Sequence, residues 1–223
     1  EFDRLRAQVY EGMTEAAFMK ILAQSIKKIR CGHTYLNPWN MNVDLRGRLF
    51  GGPIYFPLGF SILNGQFIVT HNASEASGIR PGAAITSING ISAKTILDSL
   101  STIAKVDGNN NSPVPRYLSV SNIDARHWNA FDLYFPLFFP MEGAAFTITY
   151  QNFGAEATQT VTLKALKKEE RESIIKKRYG GSMPESSSWS LDLSNPDLAV
   201  LRMGTFAIWK WEDFNHKEWF QEA

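Results

Sequence analysis

The 223-residue chain carries 23 Lys and Arg against 22 Asp and Glu, for a formal charge of +1, with 44% hydrophobic and 20% charged residues. That is the composition of a folded globular protein, long enough for one large or two smaller units, and its near-neutral charge argues against a nucleic-acid surface. Cys31 is the only cysteine, so no internal disulfide can form, and no apolar run approaches the about 18 residues a membrane-spanning helix requires.

In chain order, Met13, Ala17, Phe18, Ile21, Leu22, Ile26 and Ile29 recur three and four apart, the spacing of a helix with one buried face, and Thr14 stands where an N-cap belongs. Lys27, Lys28 and Arg30 complement the helix dipole in the last turn, and Gly32 is expected to end it in a left-handed conformation. The exit delivers Cys31-Gly32-His33-Thr34-Tyr35-Leu36. Taken alone, an imidazole beside a helix end is usually satisfied by a backbone partner. Cys31 reads as a small buried apolar residue rather than a nucleophile. From Asn37 to Pro57 the chain is rich in Pro, Gly and Asn, which predicts a linker with an irregular strand.

Pro57-Leu58-Gly59-Phe60 opens a strand running to Leu63, and Phe67 to Thr70 is apolar and β-branched, a second strand. Gly78-Ile79-Arg80-Pro81-Gly82 breaks regular structure before Ala84 to Ile88 resumes an alternating strand, which Asn89-Gly90 closes with a tight turn. Ser92 then caps a helix from about Ala93 to Val106, with Ile96, Leu97, Leu100 and Ile103 at helical spacing. Asp107 to Ser112 lacks the alternating acidic pattern of a calcium loop and reads as a turn; no metal site or cofactor motif is predicted anywhere in the chain.

Between Tyr117 and Met141 aromatic residues crowd together: Trp128, Phe131, Tyr134, Phe135, Phe138 and Phe139. Burial in a core accounts for most of them, and an exposed share would line a substrate channel. Ala145 to Tyr150 and Thr158 to Leu163 alternate around Asn152-Phe153-Gly154 as a hairpin. Residues 164–178 hold dense opposite charges and residues 180–188 are small and polar, so both read as a solvated connector; the triple serine there lacks the glycine-framed turn of a nucleophile motif. Asp197 to Phe206 reads as a buried strand and Trp211 to Phe220 as the start of a helix, a pair too small to bury its own apolar faces.

The run from Gly78 to Gly90, GIRPGAAITSING, resembles the G-L-x-P-G-D-x-I-x-x-I-N-G signature of bacterial PDZ domains, and Pro57-Leu58-Gly59-Phe60 resembles their G-L-G-F loop. A helix ending in Gly32-His33-Thr34 ahead of such a module resembles the tail-specific (C-terminal-processing) and tricorn-like serine peptidases. The resemblance implies an α+β chain: an N-terminal helical segment (1–48), a PDZ-like partly open β-barrel (49–166) with an aromatic-rich insertion at about 107–143, a linker (167–190), and the first strand and helix of a truncated α/β peptidase domain (191–223). It implies that Leu58, Gly59, Phe60, Ser61 and Ile62 bind a peptide along the free edge of their strand, against the helix after Ser92. It further implies that His33 acts as general base for a serine beyond residue 223, in a serine-type endopeptidase that hydrolyses polypeptides and is inert as this fragment alone.

Two other readings stand beside this one. The module is a non-catalytic peptide-binding or assembly unit of an inactive homologue, or, from the aromatic stretch and the family's kinship with interphotoreceptor retinoid-binding protein, a carrier of apolar ligands. A start at Glu1 without methionine suggests a removed leader, and with the family it implies the bacterial cell envelope, in the periplasm or on the outer surface, with a lipid anchor as one route. Oligomeric state is not legible.

Overall fold

The computed structural model describes residues 2–50, 55–120, 129–141, 143–180, 189–203 and 215–222. The chain divides into two units, Glu1–Tyr179 and Gly180–Ala223.

In the larger unit a short helix α1 (Phe2–Arg6) precedes α2 (Glu15–Lys27). Thr14 Oγ1 accepts the Ala17 N–H at 3.2 Å, the expected cap, and Met19 and Ala23 are buried on one face of α2. The left-handed residue beyond it is Arg30 (φ 54°), not Gly32. The cause is tertiary: the Arg30 carbonyl accepts from the Gly108 N–H at 2.8 Å, and its Nε donates back to the Gly108 carbonyl at 2.6 Å. Two bonds to a distant turn thereby hold a backbone angle that is costly for a residue with a Cβ.

Within the predicted linker with an irregular strand, residues 38–50 instead form a 3-10 turn at Pro38–Asn40 followed by helix α3 (Val43–Phe50). Residues 51–54 lie outside the described residues, and Tyr55 makes a single antiparallel bridge. Asn42 Oδ1 caps α3 by accepting the Asp44 and Leu45 N–H groups at 2.9 and 3.2 Å, while Leu49 and Phe50 pack against the core.

Strands β1 (Leu58–Leu63), β2 (Gln66–Asn72), β3 (Ala84–Ile88), β4 (Ile91–Ser92), β5 (Ala145–Gln151) and β6 (Gln159–Lys164) form an antiparallel sheet in the order β1-β2-β3-β5-β6, with β4 paired to β3. Asn64-Gly65 and Asn89-Gly90 turn between strands with all four residues at positive φ, which Asn and Gly adopt most readily. The sheet is not closed into the expected partly open barrel: β1 and β6 are its two ends and do not pair with each other. A single bridge between Tyr55 and Leu166, with N–H···O distances of 3.0 and 3.1 Å, ties the backbone before β1 to the backbone after β6. Ladder closure is prevented because the outer N–H groups of β1 are already satisfied by another segment, described below.

Ser92 Oγ accepts the Thr95 N–H at 3.1 Å and starts α4 (Ala93–Ser101), shorter than the predicted helix to Val106. The aromatic-rich segment supplies α5 (Pro113–Leu118) and α6 (Ala130–Phe138). It is core rather than appendage. Phe131 meets Phe60 edge-on at 5.0 Å and Phe56 at 5.3 Å and stacks with Phe135 at 5.1 Å, while Phe60 lies flat on Phe67 at 4.8 Å. Phe56, Phe60, Phe67, Phe131, Phe135 and Phe146 are all essentially inaccessible to solvent. Trp128, named in the sequence as part of the same stretch, lies outside the described residues.

Asp132, in the first turn of α6, is the one acidic residue of that helix, and its side chain is 2% exposed. Its carboxylate accepts from Arg171 at 2.8 and 3.1 Å and from the Phe56 N–H at 3.0 Å, and Arg171 also donates to the Phe56 carbonyl at 2.9 Å. Arg171 belongs to α7 (Lys168–Tyr179), where Ile175 is buried as well. The predicted solvated connector is therefore a docked helix in this part, because one of its many charges finds a buried counterion.

In the smaller unit β7 (Trp189–Asn195) and β8 (Leu198–Met203) form a hairpin, followed by α8 (His216–Glu222). The strand expected from Asp197 lies in β8, but Leu198 and Leu201 are exposed rather than buried. Residues 181–188 of the predicted connector and 211–214 of the predicted helix lie outside the described residues.

Removing one partner of the internal ion pair strands the other charge. Asp132→Ala is expected to lower unfolding stability by about 3–5 kcal/mol in urea titrations, and the double variant Asp132→Leu/Arg171→Leu to recover a large part of that loss. Phe131→Ala is expected to cost about 3–5 kcal/mol by the same measurement; a neutral result would mean that the aromatic segment is dispensable to the core.

Candidate functional site

The proposed peptide strand is β1, and its alternation decides what each residue can do. Leu58, Phe60 and Ile62 are buried, Gly59 is buried, and Ser61 is half-buried. The side chains expected to bind a peptide thus serve the core, and what remains for recognition is the outer backbone edge. That edge is not free. Phe60 N–H donates to the Val120 carbonyl at 3.1 Å in an antiparallel bridge, and Ile62 N–H donates to Ser119 Oγ at 2.9 Å. The Ser119 hydroxyl in turn donates to the Pro115 carbonyl at 2.7 Å, so one group closes α5 and caps the strand. Helix α5 packs against both β1 and α4, filling the groove expected between that strand and that helix.

Gly59 permits the close approach. A Cβ there would lie 3.1 Å from Thr70 Oγ1, 3.2 Å from His71 Cβ and 3.2 Å from the Val120 carbonyl oxygen, so a side chain would force β2 or the 119–120 segment to move. His71 is the register partner of Gly59, with its ring edge-on to Tyr179 at 4.9 Å and Nδ1 3.1 Å from Thr70 Oγ1. Burial holds its pKa below the ordinary histidine value, favouring the neutral ring.

His33 lies in a turn after α2 and is exposed. The turn is clamped rather than loose: Thr34 N–H donates to the Cys31 carbonyl at 2.9 Å, and Gly32 N–H to Asp107 Oδ1 at 3.2 Å. Further on, the Leu36 carbonyl accepts from the Tyr134 hydroxyl at 3.0 Å, and the Lys105 ammonium lies 4.7 Å above the Tyr35 ring. Burial, above all, pushes the Tyr134 pKa up to about 12, which keeps its phenol a proton donor across physiological pH. Cys31 is half-exposed, not buried as expected. Its pKa is lowered, first by the Thr34 hydroxyl and then by the His33 backbone, since donors stabilise the thiolate.

The two sequence-predicted elements are held by the same segment at different points along it. Asp107, Gly108 and Tyr134 anchor the His33 turn, and Ser119 and Val120 anchor the β1 edge. Sequence reasoning missed all five as site residues. Asp107 and Gly108 read as an ordinary turn, Tyr134 as one aromatic among many, and Ser119-Val120 carries no signal before its partner strand is known. Among the described residues no group of three or more His, Cys, Asp or Glu is placed to hold a metal ion, and no described helix is long and apolar enough to cross a membrane.

Comparison with protein families finds no match, and comparison with curated proteins finds none either. Among solved structures the chain is similar to mature CPAF, a chlamydial serine protease, at 13% identity and a TM-score of 0.43, with 97% of this chain aligned to 44% of that one. A second structure, mature CPAF complexed with lactacystin, matches at the same identity and TM-score over 94% of this chain and 42% of its own. The chain thus spans less than half the length of these distant neighbours, and at this level of similarity the likeness adds nothing to the reading of the site.

Two titrations follow from the local environments. His71 should titrate below 6.5 by ring-proton NMR. With its folded pKa depressed, the unfolded chain takes up the proton first, so stability is full above the unfolded-state value and falls as pH drops through it; His71→Phe should flatten that part of the profile. Alkylation of Cys31 by iodoacetamide should show a midpoint below that of a free thiol, and Thr34→Val should move it upward.

Proposed function

We propose that this chain is the N-terminal and PDZ-like part of a serine-type endopeptidase that hydrolyses polypeptides, in which the edge of β1 docks or gates the substrate and His33 serves as general base for a serine outside this chain. The observation that carries the docking role is the outer edge of β1. Phe60 and Ile62 already hold another stretch of chain there through a carbonyl and a hydroxyl oxygen, acceptors that an extended substrate peptide also offers. Side-chain pockets are not what this edge has to give, because Leu58, Phe60 and Ile62 point into the core.

The catalytic role rests on the resemblance carried by Gly32-His33-Thr34, supported by an exposed imidazole in a turn clamped at both ends. In this scheme the neutral imidazole takes the proton of the serine hydroxyl as its oxygen attacks the peptide carbonyl, then returns that proton to the leaving amine. A fixed turn matters because general-base efficiency depends on holding the ring within hydrogen-bond reach of the nucleophile. A bacterial envelope location accompanies this reading on the resemblance alone.

In the longer protein that this proposal requires, His33→Ala should reduce kcat for peptide hydrolysis by about 10²- to 10⁴-fold, the range of general-base contributions, with the circular dichroism spectrum unchanged. Unchanged hydrolysis would remove His33 from the mechanism. Peptide binding without hydrolysis in either protein would mark a non-catalytic binding or assembly module instead.

A further inference from the structure

Resting on the docking role proposed for β1, we infer that residues Ser119 and Val120 are an internal ligand of that strand, and that the peptide the site accepts is an extended segment in which a hydroxyl residue precedes a β-branched aliphatic one. The internal segment shows what the edge satisfies. Val120 offers its carbonyl to Phe60 N–H in antiparallel register, and its side chain is fully buried in the core cluster. Ser119 contributes a side-chain oxygen rather than a backbone carbonyl to Ile62 N–H. A hydroxyl is well suited here because it accepts from the strand and donates elsewhere at once, as Ser119 does to Pro115.

An incoming peptide carrying the same pair replaces each contact it displaces: amide to carbonyl, amide to hydroxyl, and one aliphatic side chain in the core for another. The exchange is therefore nearly balanced in contacts, and its outcome is set by local concentration. A tethered segment competes at an effective concentration of order mM, so a free peptide binds weakly unless the internal ligand is weakened. Its apparent dissociation constant is the intrinsic one divided by the fraction of molecules with the edge open. Gly59 belongs to the same device, since only a residue without a Cβ leaves the Val120 carbonyl its place against the strand without displacement. The result is a gated groove, filled by default and selective for sequences that imitate its own plug.

The test uses an acetylated, amidated peptide with the sequence of residues 116–120, RYLSV, and its analogue RYLAV, titrated into the chain and into its Ser119→Ala variant while the Phe60 and Ile62 amide resonances are followed by NMR. The expected result is movement of both amides, binding of RYLSV about tenfold tighter to Ser119→Ala than to the wild type, and weaker binding of RYLAV to both, the size expected for one hydrogen bond. Equal affinity for the two proteins with both amides unmoved overturns the internal-ligand inference while leaving peptide docking elsewhere intact. No binding to either protein overturns the inference and the docking role of β1 together. Should the variant not fold, amide exchange in the wild type decides. Phe60 and Ile62 exchanging well ahead of Val69 in β2 supports local opening of the edge, and exchange at one common rate with Val69 overturns it.

Discussion

A carboxylate almost removed from water must find its compensation inside the protein, and Asp132 finds it in three segments distant in sequence. Its own helix places it in the first turn of α6, where the unpaired N–H groups favour negative charge. The Phe56 amide, just ahead of β1, and the Arg171 guanidinium of α7 complete its shell, and Arg171 closes the circuit onto the Phe56 carbonyl. None of the four side-chain to backbone or side-chain to side-chain bonds can be given up cheaply, because each loss leaves a buried charge or amide unsatisfied. The arrangement therefore determines where α6 lies against the entrance of β1 and brings α7 onto the same surface.

The rest of the larger unit follows from that placement. With α6 held over the sheet, Phe131 and Phe135 enter the ring of Phe56, Phe60, Phe67 and Phe146, and α5 is carried along the outer side of β1. Ser119 and Val120 then satisfy amides that would otherwise make β1 an exposed edge, the kind of surface that recruits other chains. The same aromatic segment reaches the His33 turn through Tyr134 and, just before α5, through Asp107 and Gly108. One stretch of chain thus helps bury the hydrophobic core, covers the candidate docking edge and holds the turn that carries the candidate base, so its position bears on function as well as on stability.

Much of the local structure was legible because it depends on interactions a few residues apart. The caps at Thr14 and Ser92, the turn at Asn89-Gly90 and the strands of the central sheet follow from short-range sterics and hydrogen bonding. Helix α3 was not legible: Gly47 and the Asn-rich approach suggested a loop, and the packing of Leu49 and Phe50 overrode that preference. Nor was the docking of α7, since nothing in KKEERESIIKKR marks Arg171 as the cation among many that is buried. Arg30 in place of Gly32 as the left-handed residue has the same origin, a pair of bonds to Gly108 that no local pattern announces.

By itself the sequence determined the strands of the central sheet, the capped helices α2 and α4, the turn at Asn89-Gly90, the burial of most of the aromatic run and the appearance of His33 just after a capped helix, because hydrophobic period and backbone sterics act within a few residues. Only the tertiary structure decided that the sheet stays open, that the edge of β1 is occupied, and that Asp132 pairs with Arg171. These outcomes depend on which buried donors and acceptors meet across sequence separations of 39 to 115, and the energy of satisfying a buried polar group belongs to the meeting rather than to either residue.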